Sequence, residues 1–102
     1  MYVEAALAFA KRVVTEKPDA SVEARIAHAF RLAVSRAPSS REVAALRTLF
    51  DAEREAMGRD PAAAKRLVKD FAAPAAVPPA EFAAWYAVCA AVLNLDETIT
   101  KG

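Results

Sequence analysis

Glu81–Leu95 reads EFAAWYAVCAAVLNL. Its larger apolar residues recur every three or four positions, which is the spacing of one face of an α-helix: Phe82, Trp85, Tyr86, Cys89, Val92 and Leu93. The stretch holds the only tryptophan of the chain and contains no lysine or arginine. We therefore expect a helix from about Pro79 to Leu95 that forms the centre of the packing.

Four more helices are predicted upstream from apolar spacing and end signals. They run from about Val3 to Glu16, from the N-cap Ser21 to the stop at Arg36–Pro38, from Ser39 to the C′ residue Gly58, and from Asp60–Pro61 to Phe71. Ser39 and Glu42 have the spacing of a capping box, and the proline-rich Ala72–Pro79 predicts an extended linker. The sequence thus predicts an all-α fold: a compact bundle of about five helices joined by short proline-containing loops, forming one domain over 1–102.

Composition supports this fold class and excludes several others. Alanine occupies 27 of the 102 positions, and glycine occurs only at Gly58 and Gly102. Alanine is the best helix former, while so little glycine cannot supply the tight turns of a β-sandwich or the repeat of collagen. Small side chains also predict helices that approach one another closely.

Charge and cysteine content narrow the function classes. Fourteen basic and thirteen acidic residues give a net charge of +1, which is not the basic excess of a nucleic-acid binder. No apolar run approaches the roughly 18 residues of a membrane span, and the amphipathic N-terminus is not a signal peptide. Cys89 is alone, so the sequence provides no internal disulfide and no haem-attachment motif, and we expect a buried thiol.

His28 is the single histidine, and it has no second ligand at helical spacing. Pairing of His28 with Cys89 as base and nucleophile is disfavoured because the thiol lies in an apolar helix face. We therefore predict no catalytic, cofactor-binding or metal-ligating residue and no cofactor.

A structural clamp is predicted at the end of the last helix. Asn94, Asp96 and Glu97 follow its apolar part, where carboxylates would oppose the helix dipole. Arg25 and Arg36 are eleven residues apart on the second helix, or about three turns, and would share one face. We expect Asp96 or Glu97 to pair with one of these arginines and lock the last helix onto the second and third. The alternative is that the arginines face an open cleft and serve an external binding site.

Four segments together resemble a known family: EAALAFAKRVV (4–14), ARIAHAFRLAVSRAPSSREVAAL (24–46), DPAAAKRL (60–67) and EFAAWYAVCAAVLNLDETITK (81–101). The chain resembles the C-terminal region of the planctomycete PSD-type domain of unknown function, which ends large bacterial proteins that often contain a cytochrome c-like domain. The resemblance implies a periplasmic or otherwise extracytoplasmic setting and a segment of a longer protein. It implies no reaction and, without a Cys-x-x-Cys-His motif, no haem on this chain.

The function predicted from the sequence is a non-catalytic structural or protein-interaction module. Its partners would be upstream domains of the parent protein or another copy of the chain, with Trp85 and the clamp residues as candidates for the contacts. The alternative is an accessory domain of a cytochrome c-associated redox protein or enzyme, contributing polar residues such as Arg25 to a site completed upstream.

Overall fold

The computed structural model describes the backbone of residues 2–16, 20–68 and 77–101, and side chains within 5–63, 65–66 and 77–95 except 17–19. Over these residues the chain is an all-α bundle of five helices without a strand. The helices are α1 (Tyr2–Glu16), α2 (Val22–Val34), α3 (Ser40–Arg59), α4 (Pro61–Val68) and α5 (Pro79–Lys101). The fold class predicted from the sequence is confirmed.

Local capping explains where three of the helices begin. The Ser21 hydroxyl accepts a hydrogen bond from the Ala24 N–H at 3.1 Å, and Asp60 Oδ1 accepts one from the Ala63 N–H at 3.2 Å. At α3 the predicted capping box is present, because Ser39 Oγ accepts from the Glu42 N–H while Glu42 accepts from the Ser39 N–H. Each side chain satisfies a backbone donor that the first helical turn leaves without a partner.

The predicted ends were less accurate than the starts. Gly58 is not a C′ residue: α3 continues through it to Arg59, and Asp60 takes the cap position. Helix α5 does not end at Leu95 but extends to Lys101. The predicted continuation of α4 to Phe71 and most of the Ala72–Pro79 linker lie outside the described residues.

The expectation that the last helix is central is confirmed, since α5 packs against each of the other four helices. Trp85 is fully buried in it and meets Phe50 of α3 with ring centroids 4.6 Å apart. Several alanines have no exposed surface and allow the backbones to come close: Ala6, Ala10, Ala29 and Ala84. The core is therefore built from a few aromatic side chains set among small ones.

None of the five helices, over their described residues, combines the length and apolar character needed to span a membrane.

Candidate functional site

Arg25 is anchored against α5. Its Nη1 lies 3.6 Å from Glu81 Oε2, and its guanidinium carbon lies 5.8 Å from the centroid of the Trp85 ring. Only 11% of the Arg25 side chain is exposed, and it does not line either of the two described pockets. An arginine held between a carboxylate and an aromatic face contributes to helix docking, because its cation contacts groups of the domain itself.

Arg36 does not share a face of α2 with Arg25, contrary to the sequence prediction. Helix α2 ends at Val34, and Ser35 adopts a left-handed conformation with φ of 63°, which redirects the chain before Arg36. The guanidinium then forms a bidentate pair with Glu42 at 2.9 Å for each hydrogen bond, and it lies 4.8 Å from the Phe30 ring centroid. Arg36 therefore joins the α2–α3 turn to the first turn of α3.

The acceptor side of the predicted clamp is only partly described. Asn94 is exposed and takes part in an interaction of its own, whereas the side chains of Asp96 and Glu97 lie outside the described residues. Because α5 continues to Lys101, Asp96 and Glu97 come before its last turn, where the helix dipole opposes a carboxylate less strongly than at the helix end. The pairing of Asp96 or Glu97 with an arginine stays a prediction.

Trp85 combines complete burial with an unmet hydrogen bond. Its indole Nε1 has no acceptor among the described residues. A buried donor without a partner lowers the stability of the fold by about 1–3 kcal/mol. The stabilising contribution of Trp85 therefore comes from its buried apolar ring and from its contacts with Phe50 and Arg25.

Besides the Arg25–Glu81 pair, two further polar contacts between helices were not predicted from the sequence. His28 Nε2 lies 2.7 Å from Glu16 Oε1, which joins α2 to α1, and Arg47 Nη1 lies 2.6 Å from Glu23 Oε2, which joins α3 to α2. The hydrogen bond with His28 and a second one from Arg12 lower the pKa of Glu16 below its usual 4.5. Arg12–Glu16 has the i,i+4 spacing that a sequence reveals, whereas partners on different helices require the packed structure.

Cys89 is buried in the core, as the apolar pattern predicted. Burial raises the pKa of its thiol from 9.0 to about 12, so the reactive thiolate is strongly disfavoured. Within the described residues, no group of three or more His, Cys, Asp and Glu side chains is placed to hold a metal ion.

An apolar groove lies where α3 ends and α4 and α5 begin, and we call it the helix-end groove. It has a volume of about 170 Å³, and seven of the described residues line it: Met57, Gly58, Pro61, Lys65, Pro78, Pro79 and Ala80. Sequence reasoning missed this groove because its residues served only as helix-end signals, and their meeting depends on how three helices are packed.

A broader hollow of about 320 Å³ lies along α2, lined by Ala20, Ala24, Ala27, His28 and Arg31. All of the lining that the structure describes comes from α2 and the residue just before its N-cap, so no second described helix forms a wall of this hollow. The helix-end groove is therefore the better candidate for a binding site.

Comparison of the chain with protein-family models, with curated proteins and with solved structures finds no match.

Proposed function

We propose that this domain is a non-catalytic helical interaction module that docks against another protein domain through the helix-end groove. The observation that carries the proposal is the groove itself, an open and mainly apolar surface where three helix ends meet. A partner that covered this apolar surface would gain the free energy of removing it from water.

The contacts of Arg25 and Arg36 support a structural role for these two arginines rather than a role in binding a partner. Arg25 contacts Glu81 and Trp85, and Arg36 contacts Glu42, so both cations are engaged within the domain. Had they faced an open cleft, they would favour an accessory binding site instead. Their engagement favours the helix-end groove over the two arginines as the contact site for a partner.

The resemblance to the planctomycete PSD-type region supports the proposal that the module is part of a larger protein. We propose that it belongs to a large extracytoplasmic protein and that the docking partner is an upstream domain of that protein. The gene context tests this setting directly. An encoded signal peptide and an upstream haem-attachment motif would support the proposal, and an open reading frame that contains neither would contradict it.

Hydrogen–deuterium exchange tests the docking. The amides of Gly58, Lys65 and Ala80 are compared in the dilute 102-residue chain, in the same chain at high concentration, and in the complete gene product. Docking to an upstream domain predicts slower exchange at these amides in the complete product, and docking to a second copy predicts slower exchange at high concentration. Equal exchange in all three samples would contradict the proposed function.

A further inference from the structure

The size of the helix-end groove limits what it can accept. Pockets that hold drug-sized molecules measure about 300–1,000 Å³, whereas an apolar cavity of about 150 Å³ is filled by a molecule the size of benzene. At about 170 Å³ the groove matches one apolar side chain. The few side chains that dominate the binding energy of protein–protein contacts lie in well-packed pockets near the centre of the interface.

Proline forms much of the described wall of the groove. Pro61, Pro78 and Pro79 line it, and their rings fix the local backbone and have no long rotatable chain to order on binding. Pro61 and Pro79 are also the first residues of α4 and α5, so two helices hold them in place. A preformed groove binds at a lower entropic cost than one that must be assembled around its ligand.

Gly58 indicates that the space beside α3 is left open. Glycine in a helix costs about 0.5–1 kcal/mol relative to alanine. Gly58 lies within α3 without a positive φ, and a Cβ atom built on it would meet nothing within 4 Å. Neither the backbone nor a neighbouring group of the described chain requires glycine here, and the missing side chain keeps that wall of the groove clear.

The described lining of the groove carries a positive charge at Lys65. Among the lining residues that the structure describes, Lys65 alone is charged. Both it and the adjacent Arg66 are exposed and form no ion pair with another described residue. Two acids close to the groove in the sequence have cationic partners, since Glu55 pairs with Arg59 and Glu81 pairs with Arg25, whereas Asp60 caps α4 and keeps its negative charge. A carboxylate beside the anchoring side chain would complement Lys65.

We infer that the helix-end groove binds an apolar side chain of a partner segment that carries a carboxylate next to it. The inference rests on the proposed function and specifies the chemistry of the partner. The predicted ligand is a peptide segment with a leucine-sized side chain next to an acidic residue. A neutral or basic segment and a small metabolite are the excluded alternatives.

Amide NMR titration of the 102-residue chain tests this inference. The probe is a short capped peptide with one leucine between two aspartates, and its twin has lysines in place of the aspartates. We expect the aspartate peptide to shift the resonances of Gly58, Lys65 and Ala80 at millimolar concentration. The lysine twin should leave them unchanged, because it brings like charge to Lys65.

Variants separate groove binding from a change in folding. Gly58→Leu fills the groove and should abolish the shifts, whereas Ala56→Leu places the same side chain on an exposed position of α3 outside the lining and should bind as the parent does. Gly58→Ala is the milder variant, since its added methyl group has free space, and it should weaken binding without loss of fold. Lys65→Glu should weaken binding several-fold.

The possible results decide the inference independently of the proposed function. No shift with the aspartate peptide, equal shifts with both peptides, or unchanged binding by Gly58→Leu would each overturn it. If the aspartate peptide does not bind but the complete gene product shows slower exchange at the groove amides, the docking proposal stands and the proposed acidic partner is wrong. If groove resonances change with protein concentration alone, the occupant is a second copy, and the inference is also overturned.

Discussion

The side chain of Arg25 is held by two different groups of α5. Glu81 supplies charge at 3.6 Å, and Trp85 supplies an aromatic face one helical turn further along. The sequence indicated that Arg25 is structural but predicted Asp96 or Glu97 as its partner. Glu81 lies in the first turn of α5, where the helix dipole alone favours an acidic residue, so the sequence contains no separate signal for its pairing with Arg25.

Replacing Arg25 tests this contact. Arg25→Ala removes the cation from Trp85 and leaves the Glu81 carboxylate, only 28% exposed, without this partner. We expect the free energy of unfolding to fall by about 1–2 kcal/mol. Arg31→Ala is the matched control, since Arg31 is exposed on the same helix, and it should change stability by less than about 0.5 kcal/mol. Equal urea midpoints for the two variants would contradict the anchoring role of Arg25.

Helix starts were predicted more accurately than helix ends. The caps at Ser21, Ser39 and Asp60 act within three residues, so the sequence alone contains their signal. The end of α5 was placed too early because Asn94–Glu97 is polar, yet neither proline nor glycine occurs between Leu95 and Lys101 to stop the helix. Polar residues indicate that a helix segment becomes exposed to solvent, but they do not end it. Helices typically end at residues such as glycine, which adopts a left-handed conformation, or shortly before proline.

The capping box of α3 gives a prediction about pH. The hydrogen bonds from Arg36 first, and then from the Ser39 N–H, lower the pKa of Glu42 from 4.5 to about 2. Because the folded-state pKa is the lower one, the stabilisation is complete above the unfolded pKa of about 4.5 and is lost as the pH falls towards 2. We expect Glu42→Gln to be less stable than the parent at pH 7 and the gap to close between pH 4.5 and 2.

Urea unfolding across this pH range measures the gap. Glu55→Gln removes the same charge from an exposed position of α3, where Glu55 contacts only Arg59 among the described ion pairs, and it controls for net charge. A gap for Glu42→Gln that stays constant down to pH 2, or that matches the control, would show that the capping box does not hold the carboxylate in its charged form.

At the scale of the whole molecule, the alanine content predicted close packing but not which helices meet. Arg25 and Glu81 belong to helices far apart in the sequence, and the helix-end groove unites residues from Met57 to Ala80. Such pairings depend on how helix faces fit together in space, and a helical period does not encode them. The class of fold and the central helix were therefore predictable, while the groove and the ties between helices were not.

Ala84 provides the sharpest test of close packing. It lies within α5, the helix that contacts all the others, and has no exposed surface. If alanine is there because neighbouring helices leave no room, Ala84→Leu must push them apart, which costs about 1–3 kcal/mol. For a domain of this size that lowers the Tm by roughly 4–8 °C for each kcal/mol.

Ala52→Leu makes the same change at an exposed position of α3, and leucine is nearly as good a helix former as alanine, so its Tm should stay close to the parent's. If Ala84→Leu melted at the same temperature as Ala52→Leu, the interface would contain unfilled space, and the alanines would reflect helix propensity rather than the close approach of α5 to its neighbours.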